Sequence, residues 1–214
     1  MAKRPIVKPY GQYEKLRSFA LATVVYDGTV KFCERFVNKR SRTTDQMVQA
    51  ARSGKQNIAE GSMGSAASKK SELKLIGVAR ASLAELLEDY KDFLRQNDLD
   101  LWEKENPKAV FIRNLHRRSD RTDRTDQGAR TDQREGAYAL YRPYIEEKSA
   151  ETAANTLICL IHQASYLLDR LIMRLEQDFV EQGGVQEAMY RARSARRTDR
   201  SDRTDRTDRS DGTE

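Results

Sequence analysis

Apolar residues recur at alternating spacings of three and four along four segments of the chain, and this spacing is the period of an α-helix. The first segment runs from about Tyr13 to Val37, and the second follows after a short turn and includes Met47 to Ile58. The third extends from about Lys69 to Gln96, and the fourth carries its apolar stripe from Leu157 to Leu175 and ends at Gly183-Gly184. No segment alternates with the two-residue period of a strand. The pattern therefore predicts an all-α protein.

The apolar stripes repeat nearly every seven residues, which is typical of helices that pack about 20° from antiparallel. Short links join helices one to two and two to three, whereas the next connection runs from about Asp98 to Lys148. The sequence therefore predicts an antiparallel up-down four-helix bundle with a long connection between helices three and four. Pro107 indicates a short helix within that connection, because proline favours the first helical position. Val185 and Met189 indicate a further short helix near the C-terminus.

Hydroxyl and glycine residues mark the predicted ends of the second helix. Ser41, Thr43 and Thr44 are each suited to be its N-cap, because a hydroxyl oxygen accepts a hydrogen bond from a free backbone N–H group. Gly61 is expected to be the C-cap, since a helix commonly ends in a left-handed residue and glycine adopts that conformation without a Cβ penalty.

Two tracts of Arg-Thr-Asp and Arg-Ser-Asp triplets interrupt the helical pattern. The triplets contain no apolar side chain whose burial could offset the entropy of the chain. We therefore expect a solvated linker and tail, with a nucleic-acid or protein contact as the alternative. The predicted division is an N-terminal arm at 1–12, helices one to three with the short connecting helix at 13–117, a linker at 118–136, helix four and a short basic helix at 137–196, and a disordered tail at 197–214.

Basic residues outnumber acidic ones, 39 to 33, and the formal net charge is +6. This balance favours polyanionic partners, because neutralising phosphates releases condensed counterions. In an up-down bundle the first turn and the start of helix three lie at opposite ends, so only a ring of protomers would gather each basic group around an axis. Ordinary solvated charge is the alternative. The candidate nucleic-acid-binding residues are Lys39, Arg40, Arg42, Arg52, Lys55, Lys69, Lys70 and Lys74.

Three strings of residues carry a family resemblance: Gln46-Met-Val-Gln-Ala-Ala, Asn57-Ile-Ala-Glu-Gly and Val78-Ala-Arg-Ala-Ser-Leu-Ala-Glu-Leu. They resemble the bacterial four-helix-bundle family first noted as proteins encoded in intervening sequences of 23S ribosomal RNA genes. The accessory protein of diversity-generating retroelements is related to that family. The stretch from Leu157 to Gly184 is similar to a variant with an extended C-terminal segment. The resemblance implies a homo-oligomer, commonly a ring of five, whose basic surface contacts a reverse transcriptase and its RNA in the retroelement members.

This chain departs from the family pattern at positions that concern charge. Val48 and Gln49 stand where many relatives carry paired arginines, and Lys55 stands where many carry proline. The first departure weakens the transfer of a nucleic-acid surface, although Arg52 and Lys55 restore positive charge nearby. Ser68 matches the family's N-cap of the third helix.

Asn57, Glu60 and Gly61 lie in the predicted last turn of helix two. Asn57 and Glu60 could bond to free helix ends or pair with Arg80 on the next helix. We interpret the four residues as a structural motif that sets helix register, with a functional site as the alternative.

Residues typical of catalysis are scarce. His116 and His162 are the only histidines and lie far apart, while Cys33 and Cys159 fall in apolar stripes as small buried residues. The sequence contains no glycine-rich phosphate loop, nucleophile motif or metal-ligand spacing. It therefore predicts no catalytic residue, metal, cofactor or small-molecule substrate. The sequence shows no apolar run long enough to span a membrane and no secretory signal. We therefore expect a cytoplasmic protein without a membrane partner.

Helix four carries more apolar surface than three partner helices in a lone bundle can cover. Part of the surplus could be covered by Val110, Phe111 and Leu115 of the connection, or by Val185 and Met189. The remainder predicts self-association, because monomers rarely keep such a surface exposed. The candidate interface residues are Leu160, Leu167, Ile172 and Phe179.

The predicted function is that of a non-enzymatic homo-oligomer, in which five protomers are favoured by the family resemblance alone. It would bind RNA or single-stranded DNA as an accessory factor. The alternative is a protein-interaction or structural scaffold that does not bind nucleic acid.

Overall fold

The computed structural model describes residues 13–64, 68–122 and 133–182, together with Tyr190 and Ser194. The predicted N-terminal arm, the middle of the first triplet tract, the short helix near the C-terminus and the tail lie outside these residues. The described chain contains a 3-10 turn and six α-helices but no strand, which confirms the all-α class. The turn is Tyr13–Lys15, and the helices are α1 (Arg17–Phe36), α2 (Arg42–Gly64), α3 (Lys69–Gln96), α4 (Pro107–Thr122), α5 (Gln133–Glu146) and α6 (Ala150–Gln182).

Four of the helices share the main apolar core. Helix α1 packs against α2 and α6, and α3 packs against the same two helices. The Phe32 ring of α1 lies 5.0 Å from the Tyr90 ring and 4.8 Å from the Phe93 ring of α3, measured between centroids. The Tyr90 hydroxyl donates to Thr29 Oγ1 at 2.9 Å. This bond satisfies a buried polar group that would otherwise destabilise the core.

Side-chain contacts show which helix ends meet. Cys33 Sγ, near the end of α1, lies 4.0 Å from Met47 Sδ, near the start of α2. Lys69 Nζ, on the first residue of α3, lies 3.8 Å from Asp178 Oδ2, near the end of α6. Arg35 donates to the carbonyl oxygen of residue 148, just before α6 begins, at 3.0 Å. Each contact joins the end of one helix to the beginning of another.

Helices α2 and α3 approach each other closely at Gly61, where the sequence predicted the end of α2. Helix α2 continues to Gly64, so the prediction that Gly61 is its C-cap is wrong. A Cβ atom at Gly61 would lie 3.3 Å from Ile76 Cδ1, and one at Gly54 would lie 2.9 Å from Leu83 Cδ2. Both glycines therefore allow the two helices to touch, and neither provides a left-handed cap.

Serine hydroxyls cap the starts of three helices. Ser41 Oγ accepts from the N–H of residue 43 at 3.2 Å, and Ser68 Oγ accepts from the N–H of residue 71 at 3.2 Å. Both caps were among the expectations from sequence. Ser149 Oγ accepts from the N–H of residue 152 at 3.3 Å. Helix α6 begins at Ala150, directly after this cap and close to Lys148, where the long connection was predicted to end.

Helices α4 and α5 make up the long connection and form an outer layer. Helix α5 packs against α1 and α6, and α4 packs against α6. Pro107 is the first residue of α4, as predicted. Helix α4 extends to Thr122 and α5 begins at Gln133, so both enter the 118–136 span that was expected to be a linker. Among the side chains of this layer that the structure describes, the buried apolar ones are Ala109, Ile112, Tyr138, Tyr141 and Ile145.

Candidate nucleic-acid interface

The first basic group predicted from sequence lies on the turn between α1 and α2. Lys39 and Arg40 are exposed there, and Arg42 is exposed at the start of α2. Asn38 Oδ1 accepts a hydrogen bond from the Arg40 backbone N–H at 2.9 Å, which shapes the turn. These three cations are therefore accessible to a ligand.

An acidic groove of about 650 Å³ lies between α2 and α3, next to this turn. Its charged lining is Arg42 together with Asp45, Glu85 and Asp89. The pKa of Asp89 is raised above its ordinary value, first by burial and then by the negative charges of Asp92 and Glu85. A phosphate would meet the same repulsion. The groove therefore does not extend the cationic surface.

The second basic group lies at the start of α3. Lys70 and Lys74 are exposed. The Lys69 side chain is only 15% exposed, and its Nζ lies 3.8 Å from Asp178 of α6. Lys69 thus contributes to the contact between α3 and α6, and two of the three predicted lysines remain accessible.

Arg52 and Lys55 occupy different positions on α2. Arg52 is exposed, whereas Lys55 is half-buried with its Nζ 4.4 Å from the centroid of the Tyr26 ring. A cation over an aromatic face is stabilised by the ring quadrupole. Burial raises the pKa of the neighbouring Asp27, and the positive charge of Lys55 partly offsets that rise. Lys55 therefore belongs to the α1–α2 contact.

The two basic groups are far apart in the chain that the structure describes. Lys69 begins α3, whereas Phe93, near the other end of α3, packs on Phe32 close to the α1–α2 turn. A helix rises 1.5 Å per residue, so roughly 36 Å of α3 separates them. One protomer does not combine these groups into a single patch.

The predicted motif of Asn57, Glu60, Gly61 and Arg80 is not a single network. Asn57 Nδ2 donates to the Ser53 carbonyl oxygen at 2.9 Å and to Ser53 Oγ at 3.2 Å, within its own helix. Arg80 pairs with Asp169 of α6, and Glu60 is exposed. Pairing with Arg80, one of the two alternatives that the sequence left open for Asn57, is therefore wrong. A polar link between α2 and α3 is formed instead by the 2.9 Å hydrogen bond between the hydroxyls of Ser53 and Ser82.

The four candidate interface residues of α6 have different environments. Leu160 is fully buried within the chain, so its prediction as an interface residue is wrong. Leu167 and Ile172 are half-buried against the core, and Phe179 is exposed. Leu160 is covered because α6 packs against α1, α3, α4 and α5, and the apolar pattern of one helix does not reveal that coverage. The most exposed apolar and aromatic side chains of α6 are spaced seven residues apart: Tyr166 (60% exposed), Met173 (68%) and Val180 (84%).

A second groove, of about 880 Å³, lies on the outer face of α6 and was not predicted. Helix α4 and the loop before it form its walls, and it reaches α1 at Arg17 and α3 at Lys91. We call it the α6 groove. Its lining includes five cations and one carboxylate: Arg17, Lys91, Lys104, Arg113, Arg170 and Glu103.

Titratable groups of α6 line this groove as well. The pKa of His162 is lowered, first by partial burial and then by the positive charges of Lys91 and Arg113. Burial raises the pKa of the Cys159 thiol to about 11, against the opposing effect of Arg113. The histidine is therefore mainly neutral and the thiol protonated at neutral pH, which leaves the positive field to the arginines and lysines.

Sequence signals for the α6 groove were present but incomplete. His162, Tyr166 and Arg170 stand four residues apart and so share one helix face. Their spacing could have indicated an aromatic and cationic stripe. The walls depend on α4 folding back over α6, where Gln163 Nε2 donates to the Arg113 carbonyl oxygen at 2.9 Å. No pattern within α6 encodes that distant contact.

Both cysteines are buried, as predicted. The pKa of Cys33 is raised to about 12 by burial and by the charge of Asp89. A protonated, inaccessible thiol is a poor nucleophile. Among the described residues, no group of three or more His, Cys, Asp or Glu side chains is arranged to hold a metal ion. None of the described helices combines the length and the apolar character needed to cross a membrane.

Comparison with known proteins returned no matching family model, no matching curated protein and no matching solved structure.

Proposed function

We propose that this chain is a non-enzymatic helical protein that binds RNA or single-stranded DNA through cationic side chains on its surface. The observation that carries the proposal is a set of exposed cations that form no ion pair with a described carboxylate: Lys39, Arg40, Arg52, Lys70 and Lys74. The net charge of +6 adds long-range attraction for a polyanion. The resemblance to the 23S intervening-sequence family supports an accessory role beside RNA.

We further propose that α1, α2, α3 and α6 constitute an antiparallel up-down four-helix bundle. The support is that α1 and α3 each pack against both α2 and α6. The contact of Cys33 with Met47 joins the end of α1 to the start of α2, and that of Lys69 with Asp178 joins the start of α3 to the end of α6. Both contacts are those of antiparallel neighbours. Helices α4 and α5 would then be an insertion between the third and fourth members.

Salt dependence tests the nucleic-acid proposal. We expect a labelled single-stranded oligonucleotide to bind with a Kd that rises steeply with salt. Each phosphate contact contributes about −0.7 to the slope of the logarithm of the association constant against the logarithm of the salt concentration. Fluorescence anisotropy at several salt concentrations measures this slope. No binding at low salt would refute the proposal.

Charge-reversal variants locate the contributing group. Replacing Lys70 and Lys74 together by Glu tests the start of α3, and replacing Lys39 and Arg40 together by Glu tests the α1–α2 turn. A matched control replaces the exposed residues Lys31 and Lys148 by Glu, which changes the net charge equally. Weaker binding in one test pair but not in the control would assign that surface. Equal weakening in all three would mean that only net charge matters.

We also propose self-association, with five protomers favoured only because the family resemblance implies that number. The exposed stripe of Met173 and Val180, seven residues apart, supports an interface along the second half of α6. Sedimentation at micromolar concentration is expected to show an oligomer that Met173→Glu with Val180→Glu disperses. Ala84→Glu on the exposed face of α3 is the control. A monomeric wild-type chain would refute self-association.

The second candidate function is a protein-interaction scaffold that does not bind nucleic acid, and the same exposed stripe favours it. A scaffold of this kind would oligomerise without any salt-dependent affinity for an oligonucleotide. The anisotropy and sedimentation experiments together therefore separate the two functions.

A further inference from the structure

The α6 groove has walls that are held in place by buried hydrogen bonds. Asn155, which is almost completely buried, accepts from the Trp102 backbone N–H through Oδ1 at 2.8 Å. Its Nδ2 donates to the Asp100 carbonyl oxygen at 2.8 Å. The Trp102 indole N–H donates to Glu151 at 3.1 Å. The loop before α4 is thereby fixed on α6, so the groove is formed before any ligand arrives.

The charges of the groove favour an anion. Lys91 is paired with Glu88 at 2.8 Å, and Arg113 donates to the carbonyl oxygen of residue 104. Arg17 and Arg170 form no ion pair with a described carboxylate and are exposed. Two guanidinium groups are consequently available, and guanidinium binds phosphate in a bidentate manner.

The groove also presents an aromatic face beside those cations. Tyr166 is exposed and lies one helical turn from Arg170 and one from His162, on the same side of α6. A base can stack on a tyrosine ring regardless of its identity, because every base has a π-face. An acidic peptide would use the cations but would leave this ring unused.

We propose that the α6 groove binds single-stranded nucleic acid, with a base stacked on Tyr166 and flanking phosphates held by Arg170 and Arg17. This inference rests on the proposed function and specifies where on the molecule the strand lies. Cations on both sides of α6, from Arg17 on α1 to Lys91 on α3, suit a strand that crosses the helix. A groove that combines positive charge with an aromatic platform is typical of sequence-tolerant single-strand binding.

The test uses the full chain and a fluorescent oligonucleotide of about 12 nucleotides, a length within the usual range of single-strand sites. Tyr166→Ala is expected to raise Kd by roughly 5- to 150-fold, the range for loss of one base–aromatic stack. Arg170→Glu is expected to weaken binding and to reduce the salt slope by about 0.7, the contribution of one phosphate. The matched controls are Val78→Ala and Arg174→Glu, which change exposed residues outside the groove. Circular dichroism verifies that all four variants are folded.

Trp102 is the only tryptophan and lines the groove, so its fluorescence gives a local readout. Bound oligonucleotide should shield Trp102 from acrylamide quenching in the wild type. Tight binding that leaves Trp102 unshielded and is unaffected by Tyr166→Ala and Arg170→Glu would overturn the groove assignment, although the proposed function would stand. Absence of binding by the wild type at low salt would overturn both. Polyglutamate tests the alternative ligand. If it binds as tightly as the oligonucleotide, and binds equally well to the Tyr166→Ala variant, the ligand of the groove would be an acidic protein and not a nucleic acid.

Discussion

The two halves of α6 are both rich in apolar residues, yet they have different surroundings. Residues 153–161 are all buried, including the polar Asn155 and Thr156. Between residues 166 and 180 the helix exposes Tyr166, Met173 and Val180. The first half is in contact with the outer layer as well as with the core helices. The second half is covered on its core side alone.

The cause of this difference lies in the long connection between α3 and α6. Around the first half, α1, α5 and α6 are so close that a Cβ atom at Gly28 would lie 2.7 Å from Leu157 Cδ2 and 3.0 Å from Ile145 Cδ1. On the outer side, the almost completely buried Ile158 and Cys159 line the α6 groove beside α4 and its preceding loop. The comparison shows that a broad apolar surface on a helix indicates surplus contact area but does not identify what covers it.

The largest expected effect is a substitution that places charge in the covered half. Leu160→Glu is expected to lower the free energy of unfolding by about 3–5 kcal/mol, because it buries a charge without a partner. Since a whole domain is stable by only about 5–15 kcal/mol, this loss is a large fraction of the total and should lower the melting temperature strongly. Arg174→Glu, which places the same charge at an exposed position of the open half, is the control and is expected to change stability by less than about 0.5 kcal/mol. Thermal melting followed by circular dichroism measures both, and similar melting of the two variants would contradict the comparison.

A smaller effect is expected from releasing the loop that covers the first half. Asn155→Ala removes the partners of the Trp102 N–H and of the Asp100 carbonyl group. The expected cost is about 1–3 kcal/mol, the range for leaving buried polar groups unsatisfied. The emission of Trp102 should also shift to longer wavelength as the indole becomes hydrated. The control is Asn97→Ala, whose amide bonds only at the exposed end of α3; an equal loss of stability there would show that burial of Asn155 is unimportant.

Two glycines within helices extend the comparison of covered and open surface, and Gly77→Ala has the smallest expected effect. Gly54→Ala would place a methyl group 2.9 Å from Leu83 Cδ2, so we expect a loss of about 1–3 kcal/mol from overpacking. A methyl group at Gly77 in α3 would meet no neighbouring side chain or helix within 4 Å. Gly77→Ala is therefore expected to stabilise the protein by about 0.5–1 kcal/mol, because alanine is the better helix former. Urea unfolding of both variants gives the signs, and a stabilising Gly54→Ala would mean that α2 and α3 separate easily.

Sequence patterns anticipated the helices whose stripes face the core. The predicted third helix, Lys69 to Gln96, has the bounds of α3, and the first helix differs from its prediction mainly by the 3-10 turn before Arg17. Helix α5 was missed because Pro143 is a helix-breaking signal in the middle of a short segment. Packing of Tyr138, Tyr141 and Ile145 against α1 and α6 stabilises that helix despite the proline.

The candidate site was predictable to a lesser degree. Exposure of Lys39, Arg40, Lys70 and Lys74 follows from their position at helix ends, where few neighbours surround them. The partner of Lys69 is Asp178, which lies more than a hundred residues further along the chain. Pairings between such distant residues depend on the relative placement of helices, and periodicity within one helix carries no information about that placement.

The sequence by itself determined the all-α class, most helix spans and the positive balance of charge, because these depend on the period of apolar residues and on composition. Only the tertiary structure decided that Leu160 is a core residue, that Gly61 lies inside α2 and that α4 closes over α6 to form a cationic groove. The physical reason is the distance along the sequence over which each property is determined. Helical periodicity is local, whereas burial, ion pairing and groove formation depend on segments that are distant in sequence and meet only in the folded chain.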